Sequence, residues 1–346
     1  MADPEAHMTG PEAPTAGARP TVSVIIPNYN YEKTIAAVVE SALAQTYPVH
    51  EVLVVDDGSS DRSPEIVRRY PVRLITQRNG GVSVARNRGA AESTGEILFF
   101  LDSDIALDPD AVANAVALLT EQPDLGCVHG VVGKRALFDD GPVERYRVLH
   151  EYWWRRRATG RVRTVFFAMC AIRREVYEEI GPLDETLRES EDVEYSERLA
   201  AKYPILLTER ITGRHDDVER LGALLGEQYR RSQLLVAFAG AHRFSPGALK
   251  ANRMPGVLAT AATWGSLPLL LLTPKAAVLP ALGVAWFAVA DPGLARFVVR
   301  DQGLRYYPVF VGYHFLLHTA LVAGVARGAV RALTERGFRR PRHPAS

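Results

Sequence analysis

The sequence has few cysteines and almost no excess of charge. Cys127 and Cys170 are the only cysteines among 346 residues, and they form no Cys-x-x-Cys pair. This excludes a disulfide framework and a cysteine-rich metal site. Basic and acidic side chains number 41 and 40, which leaves a formal charge of +1. Because no basic footprint is present, we expect no nucleic-acid partner.

Several common nucleotide-binding signatures are also absent. No Gly-x-Gly-x-x-Gly follows the first predicted strand, which excludes a dinucleotide-dependent oxidoreductase, and a Walker-type phosphate loop is missing as well. Residues 1–19 contain no apolar segment, so we expect a disordered leader there and no signal peptide. The hydrophobic share of 47% nevertheless predicts a substantial buried core.

Strands and helices are predicted to alternate over the first hundred residues. Short apolar runs predict strands at 21–27, 51–55, 72–76 and 96–101. Helical spacing of apolar residues predicts helices at 34–46 and 82–93. This order predicts an α/β fold with βαβ units and a mainly parallel central sheet. The strand-to-helix loops should then lie at one edge, where such sheets bind ligands.

The chain becomes strongly apolar from Met254 onwards. The segment 254–290 holds one charged residue, Lys275, within the interrupting Thr273-Pro274-Lys275. Each side of this break has about 16 to 20 apolar residues, which predicts a membrane hairpin with a marginal second half. Residues 306–325 carry no Lys, Arg, Asp or Glu and form a third candidate span. A buried helical hairpin of a soluble domain is the alternative.

These features divide the chain into five predicted parts. They are a leader at 1–19, an α/β domain at 20–215, a helical connector at 216–253, apolar membrane-associated helices at 254–330 and a basic tail at 331–346. Three full spans would place the basic tail on the side opposite the α/β domain, against the tendency of positive charge to stay cytoplasmic. Either the third segment lies in the interface, or only one of the first two crosses fully.

Four polar clusters follow predicted strands or open predicted helices. They are Pro27-Asn28-Tyr29-Asn30, Asp56-Asp57-Gly58-Ser59, Asp102-Ser103-Asp104 and Ser190-Glu191-Asp192. The ring of Tyr29 could stack on a nucleobase, although Asn and Pro are also ordinary turn residues after a strand. The carboxylate of Asp57 could accept hydrogen bonds from a base or a ribose, or it could cap the next helix.

The last two clusters carry carboxylates in positions that suit catalysis. Asp102 and Asp104 follow the apolar run 97–101, and two carboxylates there are unfavourable unless paired or metal-bound. Oxygen ligands of this kind suit Mg²⁺ or Mn²⁺, which also hold substrate phosphates. Asp192 could act as a general base toward an acceptor hydroxyl. Alternatively, Ser190 caps a helix whose first-turn carboxylates complement its dipole.

Taken together, the four clusters resemble the inverting family-2 glycosyltransferases of the GT-A fold. The resemblance covers residues 20–215 and rests on the segments TVSVIIPNYN (21–30), EVLVVDDGSSDRS (51–63), NGGVSVARNRGAAESTGEILFFLDSD (79–104) and GPLDETLRESEDVEYSERL (181–199). It implies a nucleotide-diphospho-sugar donor and a single in-line displacement that inverts the anomeric centre. Habit within the family favours a UDP-sugar.

The resemblance also implies roles for individual residues. Pro27, Tyr29 and Asp57 fall where the family contacts the donor nucleotide. Asp102 and Asp104 match its Asp-x-Asp motif, which positions the ribose, the diphosphate and a Mn²⁺ or Mg²⁺ cofactor.

Further roles follow from the later part of the chain. Asp192 matches the catalytic base of the family, with Glu191 beside it near the acceptor. His215 falls where some relatives place a metal-coordinating histidine, although a surface turn flanked by Asp216 and Asp217 would look similar.

The sequence departs from the processive members of the family. Their Gln-x-x-Arg-Trp motif does not occur, so we expect transfer of a single sugar. Predicted membrane attachment points to a lipid-linked or cell-envelope glycan acceptor, to contact with membrane lipids and to a cytoplasmic active site at the inner membrane. The segment 152–157 could contact the membrane surface or an acceptor diphosphate. A membrane-tethered nucleotide-sugar-binding module without turnover and a sugar-nucleotide nucleotidyltransferase are the alternatives.

Overall fold

The computed structural model describes residues 19–187, 191–241 and 253–335. Most of the predicted leader, Ser190 with its predicted helix cap, and most of the basic tail therefore lie outside the described residues. The strands are β1 (Val22–Asn28), β2 (Glu51–Asp56), β3 (Arg73–Thr76), β4 (Ile97–Leu101), β5 (Ile105–Leu107), β6 (Cys127–Val132), β7 (Gly160–Val162), β8 (Met169–Arg173) and β9 (Ile205–His215).

The helices divide into two groups along the chain. Those of the first 215 residues are α1 (Ile35–Leu43), α2 (Ser63–Val67), α3 (Val82–Glu92), α4 (Ala111–Glu121), α5 (Pro142–Arg157), α6 (Arg174–Ile180) and α7 (Glu191–Lys202). Those that follow are α8 (Leu221–Ala241), α9 (Met254–Ser266), α10 (Val278–Val289), α11 (Pro292–Gln302) and α12 (Tyr307–Thr334).

The strands form one mixed sheet in the order β3-β2-β1-β4-β8-β6-β9-β5, with β7 paired to β9. The first four strands of this order are mutually parallel, as the βαβ pattern predicted. Beyond them β8 is antiparallel to both β4 and β6, and β5 and β7 are antiparallel to β9. All residues of β1 and β4 are buried, which explains why these two central strands are almost continuously apolar.

The register of the strands brings the polar clusters to one edge of the sheet. Asn28 pairs with Asp56 where β1 and β2 end. At the other side, Ile105 of β5 lies opposite His215 of β9, which places Asp104 next to that histidine. The polar segments that follow these strands therefore lie at one edge of the sheet, as the βαβ pattern predicts.

The C-terminal helices include two that are long and apolar enough to cross a membrane. They are Met254–Leu271, in which a 3₁₀ turn extends α9, and Tyr307–Thr334, which is α12. Helix α10 reaches a comparable length only together with α11, and the two are bent by 68° at the break between them. The predicted interruption at Thr273-Pro274-Lys275 is observed, since the chain forms short 3₁₀ turns on either side of Leu272 and Thr273.

Helix α12 packs closely along α8 through two glycines. A Cβ atom at Gly324 would lie 2.5 Å from the Tyr229 carbonyl oxygen, and one at Gly328 would lie 2.4 Å from that of Gln233. Small residues four positions apart allow two helix backbones to approach each other in this way. The close contact ties the apolar helices to the chain that leaves the α/β domain.

Candidate active site

A buried arginine, Arg86 on α3, lies at the centre of the polar edge. Its side chain is 4% exposed. Its guanidinium donates to Asp102 Oδ1 at 2.8 Å and to Glu191 Oε1 at 3.1 Å. Asp192 Oδ1 lies 3.7 Å from the same group. Three carboxylates from two distant chain segments therefore converge on one cation, which offsets their mutual repulsion.

The carboxyl group of Asp192 has a strongly raised pKa. Burial raises the pKa of Asp192 to about 7, and Arg86 opposes this rise while Glu191 and Asp102 add to it. The Phe167 amide donates to one carboxylate oxygen. The other, Oδ1, has no hydrogen-bond partner among the described residues. A carboxyl group with this pKa and an oxygen that accepts no hydrogen bond can accept a proton near neutral pH.

Asp104 and His215 form a second centre at the same edge. Asp104 Oδ2 lies 3.6 Å from His215 Nε2, and both side chains are about one-fifth exposed. Tyr31 lies beside them, and the negative charge of Asp104 raises the pKa of its phenol, which therefore stays neutral. Burial alone would lower the pKa of His215, but Asp104, Asp217 and Glu151 outweigh it and raise that pKa well above its usual value.

The other nitrogen of His215 faces a layer of buried charge. His215 Nδ1 lies 3.4 Å from Asp217 Oδ2 and 3.9 Å from Glu151 Oε2. Each of these carboxylates is already paired with an arginine, Asp217 with Arg147 at 3.2 Å and Glu151 with Arg155 at 2.6 Å. Groups placed behind a histidine in this way fix the orientation of its ring.

Several side chains of this region have the chemistry to hold a cation. Among the residues that the structure describes, two groups of three lie close enough together, namely Glu151 with His215 and Asp217, and Asp140 with Glu144 and Asp216. Arg147 and Arg155 already neutralise the first group, and Lys33 pairs with Asp140 and Asp216 of the second. The Nε2 side of His215, which faces Asp104, lacks such a competing cation among the described residues and therefore suits a metal better.

The residues that the sequence predicts to contact the donor nucleotide lie at the ends of β1 and β2. Tyr29 is 47% exposed, so its ring is available for stacking, while the neighbouring Asn28 is buried and bonds Asp56 at 2.9 Å. Asp57 is buried, and both of its oxygens accept hydrogen bonds from the loop before α3. The donors are the Gln77 side chain and the Gly80 and Gly81 amides, at 2.7–2.8 Å. Asp57 therefore orders the loop at this edge.

The structure brings the predicted residues together and adds others. Pro27, Asp102, Asp104, Asp192, Glu191 and His215 all lie at or beside the carboxyl-end edge of the sheet. Sequence reasoning missed Arg86, Glu151 and Asp217. Arg86 stands inside a segment quoted for its family resemblance, but a single arginine on a short helix gives no signal of burial. Glu151 lies in α5 directly before the segment 152–157, which the sequence analysis interprets as a contact with the membrane surface or with an acceptor diphosphate.

Comparison with known proteins agrees with this architecture. Residues 23–181 match the family described as Glycosyl transferase family 2. Glycosyltransferase AglE of Haloferax volcanii is 31% identical over 226 residues, which cover 61% of this chain and 71% of that protein. The chain therefore belongs to glycosyl transferase family 2.

Two further similarities are a shorter sequence match to one relative and a structural match to a solved protein. The uncharacterized glycosyltransferase YibD of Escherichia coli is 38% identical over 105 residues, and the match spans 29% of this chain and 30% of that protein. The structure of mannosyltransferase PcManGT from Pyrobaculum calidifontis, in complex with GDP-Man and Mn²⁺, superposes with a TM-score of 0.56. The two sequences are 25% identical, and the superposition covers 94% of this chain and 90% of the PcManGT chain. The predicted GT-A fold is thus confirmed.

Proposed function

We propose that this protein transfers one sugar from a nucleotide-diphospho-sugar to an acceptor hydroxyl with inversion at the anomeric carbon. The observation that carries the proposal is the grouping around Arg86. One guanidinium holds Asp102 of the Asp-x-Asp segment and lies 3.7 Å from Asp192. The carboxylate proposed to bind the donor and a carboxyl group able to take a proton thus lie beside the same guanidinium. Residues 20–215 would form the catalytic domain.

The reaction then needs one proton acceptor and one leaving group. Asp192 removes the proton from the acceptor hydroxyl as its oxygen forms a bond to the anomeric carbon. The bond between that carbon and the diphosphate oxygen breaks, and the nucleoside diphosphate leaves with the electron pair. Arg86 keeps Glu191 and Asp192 in place during this step and is a positioning residue.

Asp104 Oδ2 and His215 Nε2 would hold a Mn²⁺ or Mg²⁺ ion. Their separation of 3.6 Å is close to that of two neighbouring ligands on one ion. A bound divalent cation supplies positive charge to the leaving diphosphate. The presence of Mn²⁺ in the complex of PcManGT supports this choice.

Metal-dependent donor binding tests the assignment of Asp104. We expect calorimetry on detergent-solubilised protein to show nucleoside diphosphate binding that Mn²⁺ strengthens. Asp104→Asn should weaken the Mn²⁺-dependent part by about 10- to 100-fold, because an amide is a poorer cation ligand. Asp110→Asn, an exposed change nearby, should bind as the parent does. Equal binding by the two variants would contradict the assignment, and absence of binding by the parent would contradict the proposed donor site as a whole.

The pH dependence of transfer tests the assignment of Asp192. A base with a pKa raised to about 7 is protonated, and therefore inactive, at lower pH. We expect kcat/KM to rise about tenfold per pH unit up to about pH 7 and to level off above it. Initial rates measured over about pH 5 to 9 at saturating metal check this, and a rate that is independent of pH below about 7 would contradict it.

The proposal also includes a choice of donor nucleotide and a class of acceptor. UDP is favoured by the family resemblance, and GDP is the second choice because the PcManGT complex contains GDP-Man. Parallel calorimetric titrations with UDP, GDP and dTDP decide between them. The two apolar helices support a membrane-bound enzyme that uses a lipid-linked or envelope glycan acceptor. We place it at the inner membrane with the catalytic domain in the cytoplasm, where sugar nucleotides are made.

A further inference from the structure

Arg155, in the last turn of α5, is a second arginine that points into the protein. It belongs to the segment 152–157, for which the sequence suggests a contact with the membrane surface or an acceptor diphosphate, yet its side chain is only 12% exposed. The next two residues, Arg156 and Arg157, keep 49% and 42% of their side-chain surface exposed. Because arginine is rarely buried unless its charge is paired, Arg155 should have partners inside the protein.

One partner of Arg155 lies beside the proposed metal ligand His215. The guanidinium pairs with the Glu151 carboxylate at 2.6 Å, one helical turn earlier. The other oxygen of that carboxylate, Oε2, lies 3.9 Å from His215 Nδ1 and has no hydrogen-bond partner among the described residues. A histidine that binds a cation through one ring nitrogen donates the hydrogen of the other to such a group, which fixes the plane of the ring. Glu151 can share this role with Asp217, and Arg155 keeps Glu151 in place.

The other partner of Arg155 lies beside the proposed base Asp192. The guanidinium carbon is 4.5 Å from the centre of the Phe166 ring, which is a cation–π contact. The next residue, Phe167, donates its amide hydrogen to the Asp192 carboxylate. The ring of Phe167 contacts the other buried arginine, with 5.3 Å between Arg86 Cζ and the ring centre. Two consecutive phenylalanines are thus held by two buried arginines, one from α5 and one from α3.

The chain beside Phe166 is also bonded to the helix that carries the proposed base. The Val165 amide donates to the Ser196 hydroxyl at 2.8 Å, and that hydroxyl donates to the Asp192 carbonyl oxygen. A displacement of the Phe166 ring would therefore move the groups that hold Asp192. A shift of about 1 Å at a reacting group can lower a rate by about 10²-fold.

We infer that Arg155 is a positioning residue for both centres of the proposed active site. Through Glu151 it fixes the ring of His215, and through Phe166 it fixes the amide that holds Asp192. The inference rests on the proposed function and adds a residue that connects the proposed cation site with the proposed proton acceptor. Arg155 acts through these neighbours and is not a catalytic residue.

The test uses one variant for each of the two connections. Glu151→Gln removes the carboxylate charge but still accepts a hydrogen bond from Arg155. Phe166→Leu removes the ring and leaves the pair of Arg155 and Glu151 intact. Arg155→Met removes both connections. Arg145→Met is the matched control, because Arg145 stands on the same helix, is 45% exposed and forms its ion pair at the surface.

Two measurements on the full chain in detergent report the two connections, and both work without an identified sugar or acceptor. Calorimetry gives the factor by which Mn²⁺ strengthens the binding of UDP or GDP, and this factor reports the His215 side. Hydrogen–deuterium exchange, measured by mass spectrometry on a peptide that spans 165–168, reports the bond from the Phe167 amide to Asp192. The amides of β1 are the internal reference, since a general loss of stability would speed their exchange as well.

We expect Arg155→Met to lower the Mn²⁺ factor by about tenfold and to speed exchange of the Phe167 amide by about tenfold, with β1 unchanged. Glu151→Gln should change only the Mn²⁺ factor, and Phe166→Leu should change only the exchange. Arg145→Met should change neither quantity. Nucleotide binding without Mn²⁺ should equal that of the parent in every variant, which confirms that each one is folded.

Three outcomes would overturn the inference. They are a parental value of either quantity in Arg155→Met, equal changes in Arg155→Met and Arg145→Met, and exchange that is faster in β1 to the same extent. If Arg155→Met does not fold, Arg155→Lys replaces it, because lysine keeps the charge beside Glu151 but loses the flat contact with Phe166. Exchange of the Phe167 amide should then change while the Mn²⁺ factor stays parental, and parental exchange would overturn the inference.

Failure of the inference is distinguishable from failure of the proposed function. A parent whose nucleotide binding does not depend on Mn²⁺ would contradict the proposed donor site and, with it, the His215 half of the inference. Exchange of the Phe167 amide would still test the connection to Asp192. Binding in the parent that does depend on Mn²⁺, with parental values of both quantities in Arg155→Met, would overturn the inference alone.

Discussion

Asp192→Asn is expected to lower the rate of sugar transfer by about 10²- to 10⁴-fold, while nucleoside diphosphate binding changes by no more than about twofold. Asparagine has the shape of the carboxyl group but cannot accept the proton of the acceptor hydroxyl. The change should be well tolerated by the fold, because burial already raises the pKa of Asp192 to about 7 and the neutral acid is well populated at neutral pH.

Single-turnover transfer and calorimetry on the same preparation measure these two quantities. Asp139→Asn is the matched control, because Asp139 is 72% exposed and pairs only with Arg145 among the residues described. It should retain both the parental rate and the parental pH profile. A transfer rate in Asp192→Asn equal to that of the control would refute the assignment of the base.

Arg86→Met is expected to lower the free energy of unfolding by about 3 kcal/mol and to abolish transfer. The substitution removes the cation from Asp102, Glu191 and Asp192 and leaves three carboxylates close together. This expected loss of unfolding free energy lies at the lower end of the range for breaking a buried ion pair. The reason is that Asp102 and Asp192 keep 29% and 26% of their side-chain surface exposed. Chemical denaturation of the detergent-solubilised protein measures the loss.

Arg88→Met provides the comparison within the same helix. Arg88 is 39% exposed and pairs with Glu92 one turn later, so its loss should cost no more than about 1 kcal/mol. Arg86→Lys should recover part of the stability but little of the activity, because one ammonium cannot reach Asp102 and Glu191 with separate, fixed donors. If Arg86→Met and Arg88→Met lower the free energy of unfolding by the same amount, the central role assigned to Arg86 is wrong.

The first half of the fold could be predicted from the sequence because its signals are local. The runs at 21–27 and 96–101 are apolar since β1 and β4 are buried on both faces, and the predicted ends differ from the observed ones by at most one residue. The second half of the sheet gave no such signal. β5 and β7 have three residues each, and their pairing with β9 joins segments more than forty residues apart in sequence. Antiparallel insertion of β8 between β4 and β6 likewise depends on tertiary packing.

The residues of the candidate site also fall into those that could be predicted from the sequence and those that could not. Asp102 and Asp104 could be found because carboxylates directly after a buried strand are unusual, and Asp192 because it completes a recognisable order of segments. Arg86 could not be found, because nothing in its neighbours distinguishes a buried helical arginine from an exposed one. A cavity of about 630 Å³ between α5 and the C-terminal helices could not be found either, since its wall combines α5 with helices that begin about a hundred residues later.

The hydrogen bonds of Asp57 have a consequence for the speed of donor capture. Gln77, Gly80 and Gly81 donate hydrogen bonds to the Asp57 carboxylate and so fix the loop before α3 to the end of β2. The entropy needed to order this rim is therefore lost during folding, and an incoming nucleotide does not have to supply it. Encounter with the donor at this edge should consequently be limited by diffusion and orientation, and the lifetime of the complex should set its affinity.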